Sequence, residues 1–155
     1  MSSPRPPERL VCPWMLRRLF AERQILQRAD RGEIRLGRHL KTPIGPERRH
    51  AFPPSTMTRM IDYFDVVTGL KICETHQYEC IHGRVLASGL PDPKTFWEPT
   101  ETLVADSHHP ERHGYACSDD CVRDRRQTDL ARQGDLAPYR QECAQCAAWR
   151  PPRRR

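Results

Sequence analysis

Four of the seven cysteines fall in two short pairs, Cys117-x3-Cys121 and Cys143-x2-Cys146, separated by 21 residues. Each short spacing puts two sulfurs on one turn of backbone, and the intervening chain is long enough for the second pair to return to the first. That is the ligand layout of a structural zinc site, in which four thiolates surround one ion tetrahedrally. The layout matters because core material is scarce: apolar residues make up 37% of the chain, charged residues 30%, and prolines number 15 among 155 residues. A chain of this length reads as one small domain with tails. With so little to bury, it is expected to rely on a metal or a partner, or to be partly disordered.

The expected fold class is α+β: an N-terminal helix, a small antiparallel meander, and a helical C-terminal segment carrying the zinc site. Residues 1–12 read as a disordered start because prolines crowd residues 4–7. Residues 13–40 read as a basic amphipathic helix and a short extension. Pro13 suits a first helical position. Met15, Leu16, Leu19, Phe20 and Leu26 share one face at helical spacing, with Val11 and Ala29 at its margin, and Gly32 ends the run. Residues 41–56, with Pro43, Pro46, Pro53 and Pro54, read as a linker. Residues 57–150 form the zinc-stabilised α+β unit, and 151–155 a basic tail.

Within that unit, Met60–Val67 and Leu70–Ile81 read as strands stopped at Thr68-Gly69 and His82-Gly83, with Arg84–Ala87 returning as a third. Gly89–Pro93 reads as a turn and Thr100–Ala105 as an edge strand. Ser118 is placed to cap a helix running to Gln133, with Asp119 and Asp120 favourable in its first turn. A second helix is expected from Pro138 to Trp149. Two plain antiparallel helices would leave Cys121 about 18 Å from the turn but Cys143 only about 8 Å from it. The four-cysteine set therefore requires the second helix to start late, near Cys143, or the connection to bend.

Other ligand sets are open. His113 lies four residues before Cys117 and can replace it in a Cys3His set. A second group, Cys73, His76, Cys80 and His82, has the right residue types, but on a regular strand Cys73 faces away from the other three. Cys12 stands alone.

Charge is unevenly placed. Residues 1–50 carry 12 Lys/Arg against 5 Asp/Glu, residues 51–106 carry 4 against 8, and residues 107–155 carry 10 against 7, for a formal total of +6. Basic ends around an acidic middle suggest an anionic partner, DNA or RNA, with Arg17, Arg18, Arg28 and Arg31 as phosphate contacts. A protein partner for the apolar helix face is the alternative. Arginine supplies 23 of the 26 basic residues and asparagine is absent, a bias suggesting a GC-rich bacterial or phage genome. No segment approaches the ~18 apolar residues of a membrane span, so no membrane role is expected. The odd cysteine number fits free or metal-bound thiols in a reducing cytoplasm.

The stretch Asp106-Ser107-His108-His109-Pro110, between Cys73-x2-His76 and Cys117-x3-Cys121, resembles the HNH nucleases. In that family a hairpin and a helix surround a catalytic metal, and a histidine activates water. The resemblance implies metal-dependent phosphodiester cleavage through His108 or His109. The chain has no asparagine for the family's middle position, where His113 would have to serve. Gly-rich phosphate loops and Gly-x-Ser-x-Gly elbows are absent. The preferred expectation is a non-enzymatic, zinc-stabilised module that binds nucleic acid.

Overall fold

The computed structural model describes residues 4–108 and 118–153. Among these, α1 (Pro13–Glu22) and α2 (Ile25–Asp30) follow β1 (Glu8–Val11). Next come β2 (Ile34–Arg38), β3 (Thr42–Pro43), β4 (Met57–Asp65), β5 (Lys71–Glu79), β6 (Asp92–Trp97) and β7 (Thr102–Ala105). The chain then runs into α3 (Asp119–Gln133) and the short α4 (Ala144–Ala147). The protein is mixed α/β, built on a seven-stranded sheet in the order β1-β7-β6-β5-β4-β2, with β3 also pairing with β4.

The antiparallel meander is present in β4, β5, β6 and β7, but the sheet as a whole is mixed. Residues 8–11, expected to be part of a disordered start, run parallel to β7 from Glu8↔Thr102 to Val11↔Ala105. Thr100–Ala105 therefore supplies a strand as expected, but one with a neighbour on each side rather than an edge. The third meander strand is also corrected. Residues 84–87 contribute a single bridge, Glu79↔Val85, because Ala87 and Gly89 turn the chain at φ +61° and +75°. The true partner of β5 is β6, which includes the proline pair's second member, Pro93, opposite Thr75.

One sheet face carries the core. Ile61 and Tyr63 on β4 stand opposite Thr75 and Cys73 on β5, and all four are buried, as the two-residue side-chain period of a half-covered strand requires. Leu16 and Phe20, one turn apart on α1, close over them together with Ile25, Ile34, Phe96 and Leu103. The expected helix from 13 to 30 breaks at Gln24, whose φ of 52° is left-handed, so Ile25 points into the core from a separate helix. Cys73 is wholly buried within this cluster, which explains its residue type without a ligand role.

Ser118 caps α3 as expected, its Oγ accepting from Cys121 N–H at 3.1 Å. The second C-terminal helix is much reduced. Residues 137–139 make one 3-10 turn, and α4 spans only four residues, starting late beside Cys143. Residues 34–38 and 42–43 belong to the sheet through β4.

Candidate metal centre and basic cleft

The ligand atoms that converge come from two distant turns. β5 ends at Glu79, and from Cys80 a tight turn is closed by Cys80 N–H to Arg84 O at 2.9 Å and Gly83 N–H to Cys80 O at 2.9 Å. Gly83 takes φ +76°, a conformation that costs glycine nothing, and this bend carries His82 back beside Cys80. The second turn is Cys143-x2-Cys146. Cys143 is the N-cap of α4, and its carbonyl accepts from Cys146 N–H at 3.1 Å and Ala147 N–H at 2.9 Å, which places both sulfurs on one side.

The four ligand atoms of Cys80, His82, Cys143 and Cys146 all lie within 4.8 Å of one another. His82 Nδ1 is 3.4 Å from Cys143 Sγ, 3.8 Å from Cys146 Sγ and 3.9 Å from Cys80 Sγ. A tetrahedral zinc with sulfur at ~2.3 Å and nitrogen near 2.0 Å has N–S edges of about 3.6 Å and S–S edges of about 3.8 Å. The cluster therefore has the size of a coordination shell, and these residues lie close enough to hold a metal ion. Burial opposes ionisation of Cys143, but hydrogen bonds from Cys146 and Cys80 outweigh it and lower the thiol's pKa. Burial and the neighbouring Cys143 and Cys80 thiols push Cys146 up to about 11. A thiol eased toward ionisation among thiols that share its hydrogen bonds suits a site where protons exchange for a cation.

The second turn is held against the first by few other contacts. Gln141 N–H donates to Gly89 O at 2.9 Å, Arg140 Nε to Ser88 O at 3.3 Å, and Val85 N–H to Gln141 Oε1 at 3.4 Å. At Gly89 a β-carbon would stand 2.8 Å from Gln141 O, so only glycine lets the two segments approach.

This grouping re-sorts the cysteines expected from sequence. Cys143 and Cys146 are in the cluster, and Cys80 and His82 join them from the weaker sequence group. Cys121 does not. It lies on α3 with its Sγ 3.5 Å from Cys12 Sγ, because α3 packs against α1 rather than folding back along a second long helix. Cys117 and His113 lie outside the described residues, as does His109. Cys73 faces the core, and His76 is half-buried, its pKa lowered first by burial and then by Lys94. The signal for Cys80 and His82 was the glycine turn that follows them, which removes the strand geometry used to set them aside.

The four arginines expected to contact phosphate all face carboxylates. Arg17 Nε is 2.8 Å from Asp92, Arg18 Nε 2.6 Å from Asp124, Arg28 3.5 Å from Asp65 and Arg31 2.5 Å from Glu33. Cationic charge gathers instead around a cleft of about 540 Å³, where Arg17, Arg48, Lys94 and Arg132 meet one carboxylate, Asp92, beside Trp14, His76 and Tyr78. The guanidinium carbons of Arg17, Arg125 and Arg132 lie 4.4, 5.4 and 5.4 Å from the Trp14 ring centre. Burial and then the like charge of Arg17 lower the Arg132 pKa, and its carboxylate neighbour Asp129 is 4.0 Å away. His108, central to the nuclease resemblance, is an exposed turn residue whose N–H donates to Asp106 Oδ1 at 2.9 Å.

No protein-family model, curated protein or solved structure matches the chain. What fold and site define is a class: a mixed α/β protein with a Cys3His cluster able to hold a metal ion. Among the described residues no helix is long and apolar enough to cross a membrane.

Proposed function

We propose that the protein is a non-enzymatic binding module of a reducing cytoplasm, stabilised by zinc at Cys80, His82, Cys143 and Cys146, that engages nucleic acid. The Cys3His geometry carries this reading. Three sulfurs around one imidazole, with N···S distances of 3.4–3.9 Å, suit zinc better than the oxygen-preferring cations. Four protein ligands also close the shell, whereas a catalytic zinc keeps a position for water. That closure speaks against the HNH-like alternative at this centre, and His108 stands on an exposed turn.

The nucleic-acid part of the reading is supported by the cleft of Arg17, Arg48, Lys94 and Arg132 and by the aromatic residues beside it, since cations with stackable rings suit a phosphate-linked strand. Fluorescence anisotropy with labelled single-stranded and duplex oligonucleotides, read against salt, tests it. Three phosphate contacts give a slope of about −2.7 in log affinity against log salt on duplex DNA and about −2 on single strands. The Arg48→Gln/Lys94→Gln/Arg132→Gln variant should flatten that slope while keeping its metal. Absence of binding by the wild-type protein at low salt would refute the nucleic-acid partner and leave the protein-adaptor reading. Divalent-ion-dependent cleavage of plasmid DNA, lost in His108→Ala, would establish the nuclease instead.

A further inference from the structure

The sheet core and the Cys3His cluster leave Cys12 and Cys121 unused. Cys12 follows β1 and is the N-cap of α1, while Cys121 sits in the first turn of α3. Although 109 positions apart in sequence, their sulfurs stand 3.5 Å from each other. A disulfide bond is about 2.05 Å long, whereas two thiolates on one tetrahedral zinc are about 3.8 Å apart. The observed spacing is that of two free thiols in hydrogen-bonding contact, far longer than a disulfide and close to the separation of co-ligands.

A comparison inside the molecule points the same way. Cys143, an anchor of the first cluster, is the N-cap residue of its helix, and the backbone N–H groups of Gln145 and Cys146 favour its thiolate. Cys12 is also an N-cap residue, and the N–H groups of Trp14 and Met15, two and three positions on, reach its sulfur in the same manner, although burial outweighs them and pushes the thiol up to about 12. Cys121 has its own N–H tied to Ser118 Oγ, which keeps the first turn of α3, and with it the sulfur, in place against Cys12. Asp124, further along α3, is held by Arg18 at 2.6 Å, a second tie between α3 and α1.

We propose that Cys12 and Cys121 are two ligands of a second soft-metal site, which clamps the start of α3 to the start of α1. Each thiol gives its proton to solvent as it ligates a divalent ion, so two protons leave and no electrons move. The pair supplies two of the four positions that a tetrahedral ion takes. This site is independent of the nucleic-acid partner and of the first cluster. It reverses the sequence expectation that Cys12 is dispensable for metal binding.

The test is the number of zinc ions per full-length chain, read by native mass spectrometry after expression with zinc. The wild-type protein should carry two. Cys12→Ser and Cys121→Ser should each carry one, and Cys80→Ser should also carry one. A wild-type chain with a single zinc that Cys12→Ser retains overturns the second site while leaving the first intact. A wild-type mass lower by two hydrogens and restored by reductant also overturns it, since the pair would then be a disulfide. Should the serine variants fail to fold, peptide-resolved alkylation of the wild type decides. Cys12 should react only after a chelator is added, while buried Cys73 stays protected throughout. Equal reactivity of Cys12 with and without chelator refutes the proposal.

Discussion

The two ends of this chain are attached to one sheet by different physics. At the N-terminal end, β1 takes backbone hydrogen bonds from β7, and α1 sinks Leu16 and Phe20 into the core at 0% and 3% exposure. At the C-terminal end, residues 135–150 bury little besides Leu136 and Cys143, and meet the rest through three hydrogen bonds to residues 85–89, others from Gln27 to Asp135 O, from Leu136 N–H to Ala131 O and between Tyr139 and Asp30, and the Cys3His cluster. Burial of a large side chain is worth about 1.5–3 kcal/mol, so the first end is joined to the sheet by its apolar core. For the second end, with so little buried, a metal held at the Cys3His cluster is the proposed substitute for a core. The difference teaches that a chain low in apolar residues can spend them in one place and hold its remaining segments by ligands.

The sharpest way to break that comparison is to remove the metal. Structural zinc supplies about 10–16 kcal/mol of apparent free energy in small zinc domains, more than the hydrogen bonds of this end at about 1 kcal/mol each. Chelation, or Cys80→Ser, should free residues 135–150, and hydrogen exchange should become rapid at Gln141, Cys146 and Ala147 while Ile61 and Tyr63 stay protected. If both ends lose protection together, the ends are not separately held. The converse cut is Phe20→Ala, expected to destabilise the sheet body by about 3–5 kcal/mol in denaturant unfolding. The variant should still bind metal at Cys80, His82, Cys143 and Cys146. Loss of that metal would show that the cluster depends on the core.

Smaller effects sharpen the boundary between the two regions. Ser118→Ala removes the side-chain acceptor for Cys121 N–H and should cost about 1 kcal/mol, read as a lower denaturation midpoint. Smallest is the acid limb set by Asp92. Burial alone would raise its pKa, but Arg17 and Lys94 outweigh burial and hold it below the usual carboxylate range. A depressed folded pKa contributes stability that is present above the unfolded value and lost as pH falls through the folded one. Stability should therefore drop as pH falls below about 4, by up to about 1 kcal/mol from this pair. Arg17→Gln should shrink that drop, and an unchanged acid limb would remove Arg17 as its cause.

Much of the local structure was legible from residue order. The two-residue alternation and the stops at Gly69 and Gly83 marked β4 and β5 closely, and Ser118 with Asp119 and Asp120 marked the start of α3. Leu16 and Phe20 were on the expected apolar stripe. What misled was any inference that crossed distance. Residues 84–87 looked like the next strand because they follow the turn, yet β6 takes that place once Ala87 and Gly89 bend the chain away. Residues 8–11 looked too close to prolines to be ordered, but β7 offers them a free edge far along the sequence.

The cysteines divide along the same line. Residue order alone determined that Cys143 and Cys146 share one turn, that Cys80 and His82 lie at a glycine bend, and that Cys117 and Cys121 are spaced as neighbours. Such spacings are local, and backbone geometry over three or four residues constrains them tightly. Only the tertiary structure decided which turns meet. The Cys143 turn lands on the Cys80 turn because Gly89 admits Gln141 at backbone contact distance, and Cys121 lands on Cys12 because α3 packs across α1. Ligand sets assembled from turns 61 and 109 residues apart depend on how the sheet orders its strands, and no spacing along the chain encodes that order.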